Sequence, residues 1–101
     1  MRLVLLLLLA MPAVSSAEMP RPAKLGLCVA CHGDNGVSRV AGVPSLAGQD
    51  EAYLRKALGD YRNGVRNVAP MTSLANTLQA RDINALARWF AAQPGFAKAT
   101  K

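Results

Sequence analysis

The chain has 101 residues, with 12 lysines and arginines against six aspartates and glutamates, and its formal net charge is +6. It contains two cysteines and one histidine, so a dense framework of disulfide bonds is excluded. The basic residues are spread along the chain and form no run longer than the pair Arg55-Lys56, which argues against nucleic-acid binding.

The first 17 residues are predicted to be a secretory signal peptide. A positive charge at Arg2 precedes an apolar stretch over residues 3–14, and small residues follow as far as Ala17. This layout is typical of a signal that is cleaved after Ala17. The alternative is an uncleaved membrane anchor, but the apolar stretch is shorter than the roughly 18–20 residues needed to span a bilayer. We therefore expect a periplasmic protein consisting of residues 18–101, with no stable membrane insertion after cleavage.

The mature chain is predicted to be one small all-α domain. It shows neither the alternation of apolar and polar residues typical of strands nor hairpin signals between apolar runs. Domains of this size bury little apolar surface, and they usually need disulfides, a metal or a cofactor for stability. Its eleven basic and six acidic residues give a formal charge of +5.

The first predicted helix begins near Pro22, is interrupted by Gly26, and runs into the sequence Cys28-Val-Ala-Cys31-His32. The pattern C-x-x-C-H is the attachment signature of c-type haem. Two cysteines three positions apart lie about one helical turn from each other, so both can form thioethers with the two vinyl groups of the porphyrin. His32 would then be the proximal iron ligand. The haem would also supply apolar surface for the small chain to enclose.

The remaining elements follow from local signals. A long loop from Gly33 to Gly48 is expected to cover one face of the haem. The second helix begins at Asp50 and ends near Arg62, before Gly64; its apolar stripe comprises Tyr53, Leu54, Ala57, Leu58 and Tyr61. The third helix spans Arg81 to Gln93, with Asp82 in its first turn and Ile83, Leu86, Ala87 and Phe90 on one face. Residues 72–78 could hold a further short turn, a point that the sequence leaves open.

The second axial ligand is inferred by elimination. His32 is the only histidine, so ligation by two histidines of one chain is impossible. Of the methionines in the mature chain, Met19 lies too close to Cys28 to reach the opposite haem face easily. Met71 follows Pro70 in the loop between the second and third helices and is the predicted distal ligand. The alternative is that Met71 is an ordinary core residue.

These residues resemble class I c-type cytochromes, in particular the small periplasmic cytochromes of the c4, c5 and c553 types. The order and approximate spacing of the matching segments cover nearly all of the mature chain. The segments are Cys28–Gly33, Gly36, Pro44–Gln49, Tyr53-Leu54, Tyr61–Arg66, Met71 and Asp82–Phe90. Only one haem motif is present, whereas c4-type proteins typically carry two such domains, so a one-domain carrier is the closer match.

The resemblance implies a fold of three main helices and long loops around one covalent haem c. Cys28 and Cys31 would be the thioether sites, and His32 and Met71 the iron ligands. The carbonyl of Pro44 would accept the other imidazole N–H. The resemblance also implies that Leu46 and Tyr53 line the haem pocket, although ordinary core packing is an equivalent reading, and that Gly26 meets Trp89 and Phe90 where the terminal helices cross.

The expected function is that of a soluble periplasmic electron carrier, not an enzyme, with a low-spin haem held by histidine and methionine. Such carriers meet redox proteins through transient interfaces, and the basic surface would suit a partner with an acidic docking surface or an anionic membrane face. The main alternative is a haem enzyme or gas sensor with a labile sixth ligand. A thiol redox protein would need a βαβ pattern that the sequence lacks, and a zinc module would need a fourth ligand.

Overall fold

The computed structural model describes residues 2–10 and 19–95. Within these ranges the chain forms four helices and no strand, in the order α1 (Gly26–His32), α2 (Glu51–Arg62), α3 (Met71–Asn76) and α4 (Ala80–Ala92). The predicted all-α class is confirmed.

The predicted signal segment is described only in part. Residues 2–10 form no helix, and the leucine side chains between Leu3 and Leu9 are exposed. The predicted cleavage site after Ala17 lies outside the described residues, so cleavage stays a prediction. Over residues 2–10 and 19–95, the helices are too short or too polar to cross a membrane.

The first helix starts later than predicted. Leu25 N donates to Pro22 O at 3.1 Å, and Cys28 N donates to Leu25 O at 2.9 Å, so tight turns precede the first regular helical bond, from Val29 N to Leu25 O. The α-helix therefore begins at Gly26, which opens the helix instead of interrupting it. Leu25, at the end of the turn, is fully buried and anchors the start of α1 in the core.

The predicted start of α2 is confirmed. Asp50 Oδ2 accepts a hydrogen bond from Tyr53 N at 2.8 Å, which satisfies one of the free amides of the first turn. Gly64 follows the helix with a φ of +78°, a conformation that favours glycine. From the predicted stripe, Leu54 is buried and Leu58 and Tyr61 pack against the core, whereas Tyr53 is exposed.

The stretch between α2 and α4 holds more helix than predicted. The short turn left open over residues 72–78 is a helix of six residues, α3, and Met71 is its first residue. The three predicted helices are present as α1, α2 and α4, and α3 is a fourth, short helix in the described part of the chain. The prediction that Met71 lies in a loop is wrong, because Met71 begins α3. Ala75 of α3 is buried, and Leu78 follows it into the core.

The last helix supplies half of the buried apolar residues. It starts at Ala80, one residue before the prediction, because Gln79 N donates to Asp82 Oδ2 at 2.8 Å and completes a capping box. Its buried side chains are Ile83, Leu86, Ala87 and Phe90, and they pack with Leu25, Leu54, Ala75 and Leu78.

The backbone of the loop between α1 and α2 packs closely against α4. A Cβ built at Gly36 would lie 2.8 Å from Phe90 Cδ1, and Gly48 N donates to Phe90 O at 2.9 Å. A Cβ at Gly26 would meet nothing within 4 Å. The predicted close approach of Gly26 to Trp89 and Phe90 is therefore wrong, and Gly36 makes that approach to Phe90 instead.

Candidate functional site

The two cysteines lie one helical turn apart on α1, at the sequence C-x-x-C-H. Neither forms a disulfide bond; Cys28 is partly buried against the core and Cys31 is exposed. Burial raises the pKa of the Cys28 thiol. A helical turn presents both sulfurs on one side of α1, as attachment to a single porphyrin requires.

The imidazole of His32 is oriented by the loop that follows it. The side chain is 8% exposed, and its Nδ1 lies 2.8 Å from the backbone oxygen of Pro44. A carbonyl can only accept, so Nδ1 must carry the proton and donate it. The lone pair of Nε2 is then free to bind a metal, and the ring cannot rotate without breaking the Nδ1 bond. This is the contact that the resemblance to class I cytochromes implies for Pro44.

Met71 is placed at the start of α3 by a network centred on its neighbour Thr72. Thr72 Oγ1 accepts from Val68 N at 2.9 Å and donates to Arg66 O at 3.0 Å. The Thr72 amide also donates to Val68 O at 3.0 Å. The segment before Met71 is therefore fixed to α3. The residue pattern of the sequence had not indicated this role for Thr72.

Large apolar side chains are exposed near the predicted iron ligands in the sequence and on α2. They comprise Leu27 and Val40 on either side of the C-x-x-C-H motif, Tyr53 on α2, and Val65 and Val68 just before Met71. Their exposed fractions range from 44% for Leu27 and Val40 to 75% for Val65. Exposed apolar side chains that lie near the predicted ligands in the sequence suit a haem, because contact with its apolar ring would remove them from water.

The other predicted pocket residues differ in their surroundings. Leu46 is partly buried against the core, and its amide donates to Gly36 O at 2.7 Å. Tyr53 is 53% exposed and therefore has ring surface to offer to a bound group. Contact of either residue with haem stays a prediction.

The sequence had not predicted a role at this site for two neighbouring serines, Ser38 and Ser45. Ser38 Oγ lies 3.1 Å from Cys31 O, and Ser38 N donates to Ser45 Oγ at 3.0 Å. Serine is common in loops, so only the folded positions of these residues reveal that they join the two sides of the His32 site.

The alternative sites considered from the sequence gain no support from the described residues. Residues 2–10 and 19–95 contain no group of three His, Cys, Asp or Glu side chains that could hold a metal ion, as a zinc module would need. The same ranges contain no strand from which a thioredoxin-like βαβ unit could be built.

Comparison with known proteins identifies the family. The cytochrome c family model matches residues 25–92, which include α1, α2, α3 and α4. The chain belongs to the cytochrome c family. Its all-helical structure is that of a class I cytochrome c, and membership implies one covalently attached haem c, which the paired thiols and His32 are suited to bind.

Among the relatives is a cytochrome c4 of Pseudomonas aeruginosa, 44% identical over 71 residues that make up 70% of this chain and 35% of that protein. A cytochrome c-554(548) of Halomonas halodenitrificans is 40% identical over 69% of this chain and 88% of its own length. A thiosulfate dehydrogenase electron acceptor of Thiomonas intermedia is 40% identical over 80% of this chain and 36% of its own length. The chain thus spans about a third of two of these relatives and most of the other.

Proposed function

We propose that residues 18–101 form a periplasmic one-electron carrier, with haem c attached through Cys28 and Cys31 and ligated by His32 and Met71. The observation that carries the proposal is the orientation of His32. Its Nδ1–H bond to Pro44 O, at 2.8 Å, presents Nε2 as a metal ligand beside the two thiols. The family relationship and the names of relatives, such as cytochrome c4, support the assignment to electron transfer.

When bound, haem c supplies a single-electron couple at iron. The protein's part would be to hold the iron through His32 and Met71 and to keep water away from it. Pro44 orients the ring of His32, and the hydrogen bonds of Thr72 hold the backbone next to Met71. Ligands held in this way need little rearrangement when the charge at iron changes, which suits repeated electron transfer.

The expected partners are redox proteins with acidic docking surfaces. All five acidic residues between positions 19 and 95 are engaged locally: Asp34, Glu51 and Asp60 in salt bridges, and Asp50 and Asp82 as helix caps. Over the same range, Lys24, Arg39, Arg62, Arg66, Arg81 and Arg88 form no salt bridge with a described residue. This uncompensated positive charge would steer an acidic partner.

Two of these basic residues flank the exposed apolar side chains. Arg39 adjoins Val40, and Arg66 adjoins Val65. Exposed apolar side chains beside basic residues are suited to small transient interfaces. One relative is named a thiosulfate dehydrogenase electron acceptor, which supports a redox enzyme as the class of donor.

The visible spectrum of the purified periplasmic protein tests this proposal. We expect low-spin haem in both oxidation states, and no change on adding carbon monoxide to the reduced protein. A high-spin spectrum, or rapid binding of carbon monoxide, would instead identify a haem enzyme or gas sensor with a labile sixth ligand.

A further inference from the structure

Two serines close a hydrogen-bonded ring around the His32 site. Ser38 Oγ lies 3.1 Å from the backbone oxygen of Cys31, the residue before His32. Ser38 N donates to Ser45 Oγ at 3.0 Å, and Ser45 is the residue after Pro44. The ring is completed by the bond from His32 Nδ1 to Pro44 O at 2.8 Å.

The ring connects the two partners of the imidazole bond by a second path. His32 lies in α1 and Pro44 lies in the long loop, and twelve positions separate them in the chain. Through the two serines, Cys31, which precedes His32, is connected to Ser45, which follows Pro44. A movement of Pro44 away from His32 would therefore also strain the Ser38–Ser45 bond. The Ser38–Ser45 bond therefore restrains the distance between His32 Nδ1 and Pro44 O, in addition to the hydrogen bond between these two atoms.

Ser38 is itself held in place by neighbouring backbone groups. Its Oγ accepts from Val40 N at 3.2 Å and lies 3.1 Å from Val40 O. The hydroxyl has one proton, which it shares between the carbonyls of Cys31 and Val40. Removing this hydroxyl would release the loop from the end of α1 and leave the Cys31 carbonyl and the Val40 amide to be satisfied by water, whereas the Val40 carbonyl also accepts from Val43 N.

We infer that Ser38 and Ser45 are positioning residues that tune the iron ligand His32 by fixing the length of its hydrogen bond to Pro44. The inference rests on the proposed attachment of haem. A shorter Nδ1–H···O bond makes the imidazole a stronger electron donor at Nε2, and a stronger donor favours the oxidised iron. Loss of either serine hydroxyl should lengthen the bond, weaken the donor and raise the midpoint potential.

The test compares Ser38→Ala and Ser45→Ala with Thr77→Val in haem-loaded protein. Thr77 Oγ1 donates to Leu74 O at 2.7 Å, so the control also removes a bond from a hydroxyl to a backbone carbonyl, but outside the ring. Ser38→Thr and Ser45→Thr retain the hydroxyl and should restore the wild-type values.

The readouts are the midpoint potential and the NMR shift of the His32 Nδ1 proton. We expect both alanine variants to favour the reduced form by on the order of threefold, which is about 28 mV for a one-electron couple at 59 mV per tenfold change. The Nδ1 proton should move upfield, as expected for a weaker hydrogen bond. Thr77→Val should leave both readouts at their wild-type values.

The outcomes separate this inference from the proposed function. If wild-type protein carries haem but both alanine variants match Thr77→Val in potential and proton shift, the positioning role is wrong and the carrier proposal stands. If both alanine variants fail to acquire haem while Thr77→Val acquires it, the hydroxyls serve attachment and not tuning, which also overturns the inference. Absence of haem from the wild-type protein would overturn the proposed function itself.

Discussion

His32 and Met71 owe their positions to different kinds of constraint. His32 follows the two cysteines in one short helix, and its ring is fixed by the carbonyl of Pro44, which lies twelve positions later in the chain. Met71 begins a helix of six residues, and its position depends on the hydroxyl of the adjacent Thr72. The histidine could be predicted from a five-residue motif, whereas the methionine required elimination of the other possible donors.

Replacement of Met71 by alanine tests the distal ligand. We expect loss of the weak far-red absorption that an iron–thioether bond gives in the oxidised protein, and binding of carbon monoxide by the reduced protein, because the sixth position becomes open. Met19→Ala is the matched control, since it removes the other methionine among the residues that follow the predicted signal. An unchanged spectrum in Met71→Ala would show that another group ligates the iron.

The helices differ in how well local sequence signals predict where they begin. The starts of α2 and α4 were predictable within one residue, because Asp50 and Asp82 satisfy free amides within their own first turns. The start of α1 was not predictable in this way, because the helix is preceded by tight turns and anchored by the burial of Leu25. The existence of α3 was left open because its six residues carry too little periodicity.

The contact between the long loop and α4 also escaped prediction from the sequence. Gly26 and Gly36 are equally plausible points of close approach when only residue types are known. The structure selects Gly36, whose added Cβ would lie 2.8 Å from both Phe90 Cδ1 and Ala47 N. Contacts of this kind depend on the relative placement of distant segments, which local patterns do not specify.

Alanine at Gly36 and at Gly42 should separate backbone strain from steric clash. The two glycines have φ values of +77° and +80°, but an added Cβ at Gly42 would meet nothing within 4 Å. Gly42→Ala should lower the free energy of unfolding by about 1–2 kcal/mol, the usual cost of a left-handed backbone. Gly36→Ala should lower it by roughly a further 1–3 kcal/mol because of overpacking.

Chemical denaturation of the haem-loaded variants measures this difference. Equal losses of stability in the two variants would mean that the loop does not press against Phe90 as the structure shows.

At the scale of the whole molecule, the chain combines a small core with apolar side chains left in water. Half of the buried apolar residues come from α4, while Tyr53, Val65 and Val68 remain more than half exposed. Such a domain gains most of its missing burial from a bound apolar group. The family and the cofactor were predictable from the sequence, but which large apolar residues are exposed became visible only in the folded chain.

Replacing Cys28 and Cys31 together by alanine should leave no haem that resists acid–acetone extraction, and very little folded protein. The reason is that the attached group is expected to complete the core. Circular dichroism and urea unfolding of the exported variant, beside the wild type, measure the result. A stable fold without haem would show that the polypeptide core suffices by itself.

Charge reversal tests the proposed docking surface. Arg39→Glu, next to the exposed Val40, should slow association with an acidic redox partner and flatten its dependence on ionic strength. Arg88→Glu makes the same change in net charge on α4, where Arg88 lies near Arg55 and Glu51. Stopped-flow kinetics at low salt should show a larger effect for Arg39→Glu, and equal rates for the two variants would mean that only net charge matters.

Intact mass spectrometry of the protein recovered from the periplasm tests most directly whether the exported chain carries one haem on Cys28 and Cys31. We expect a single species with the mass of residues 18–101 plus one haem, and a tryptic peptide containing Cys28 and Cys31 that retains the haem. An unmodified polypeptide mass, or a haem that dissociates on denaturation, would contradict it.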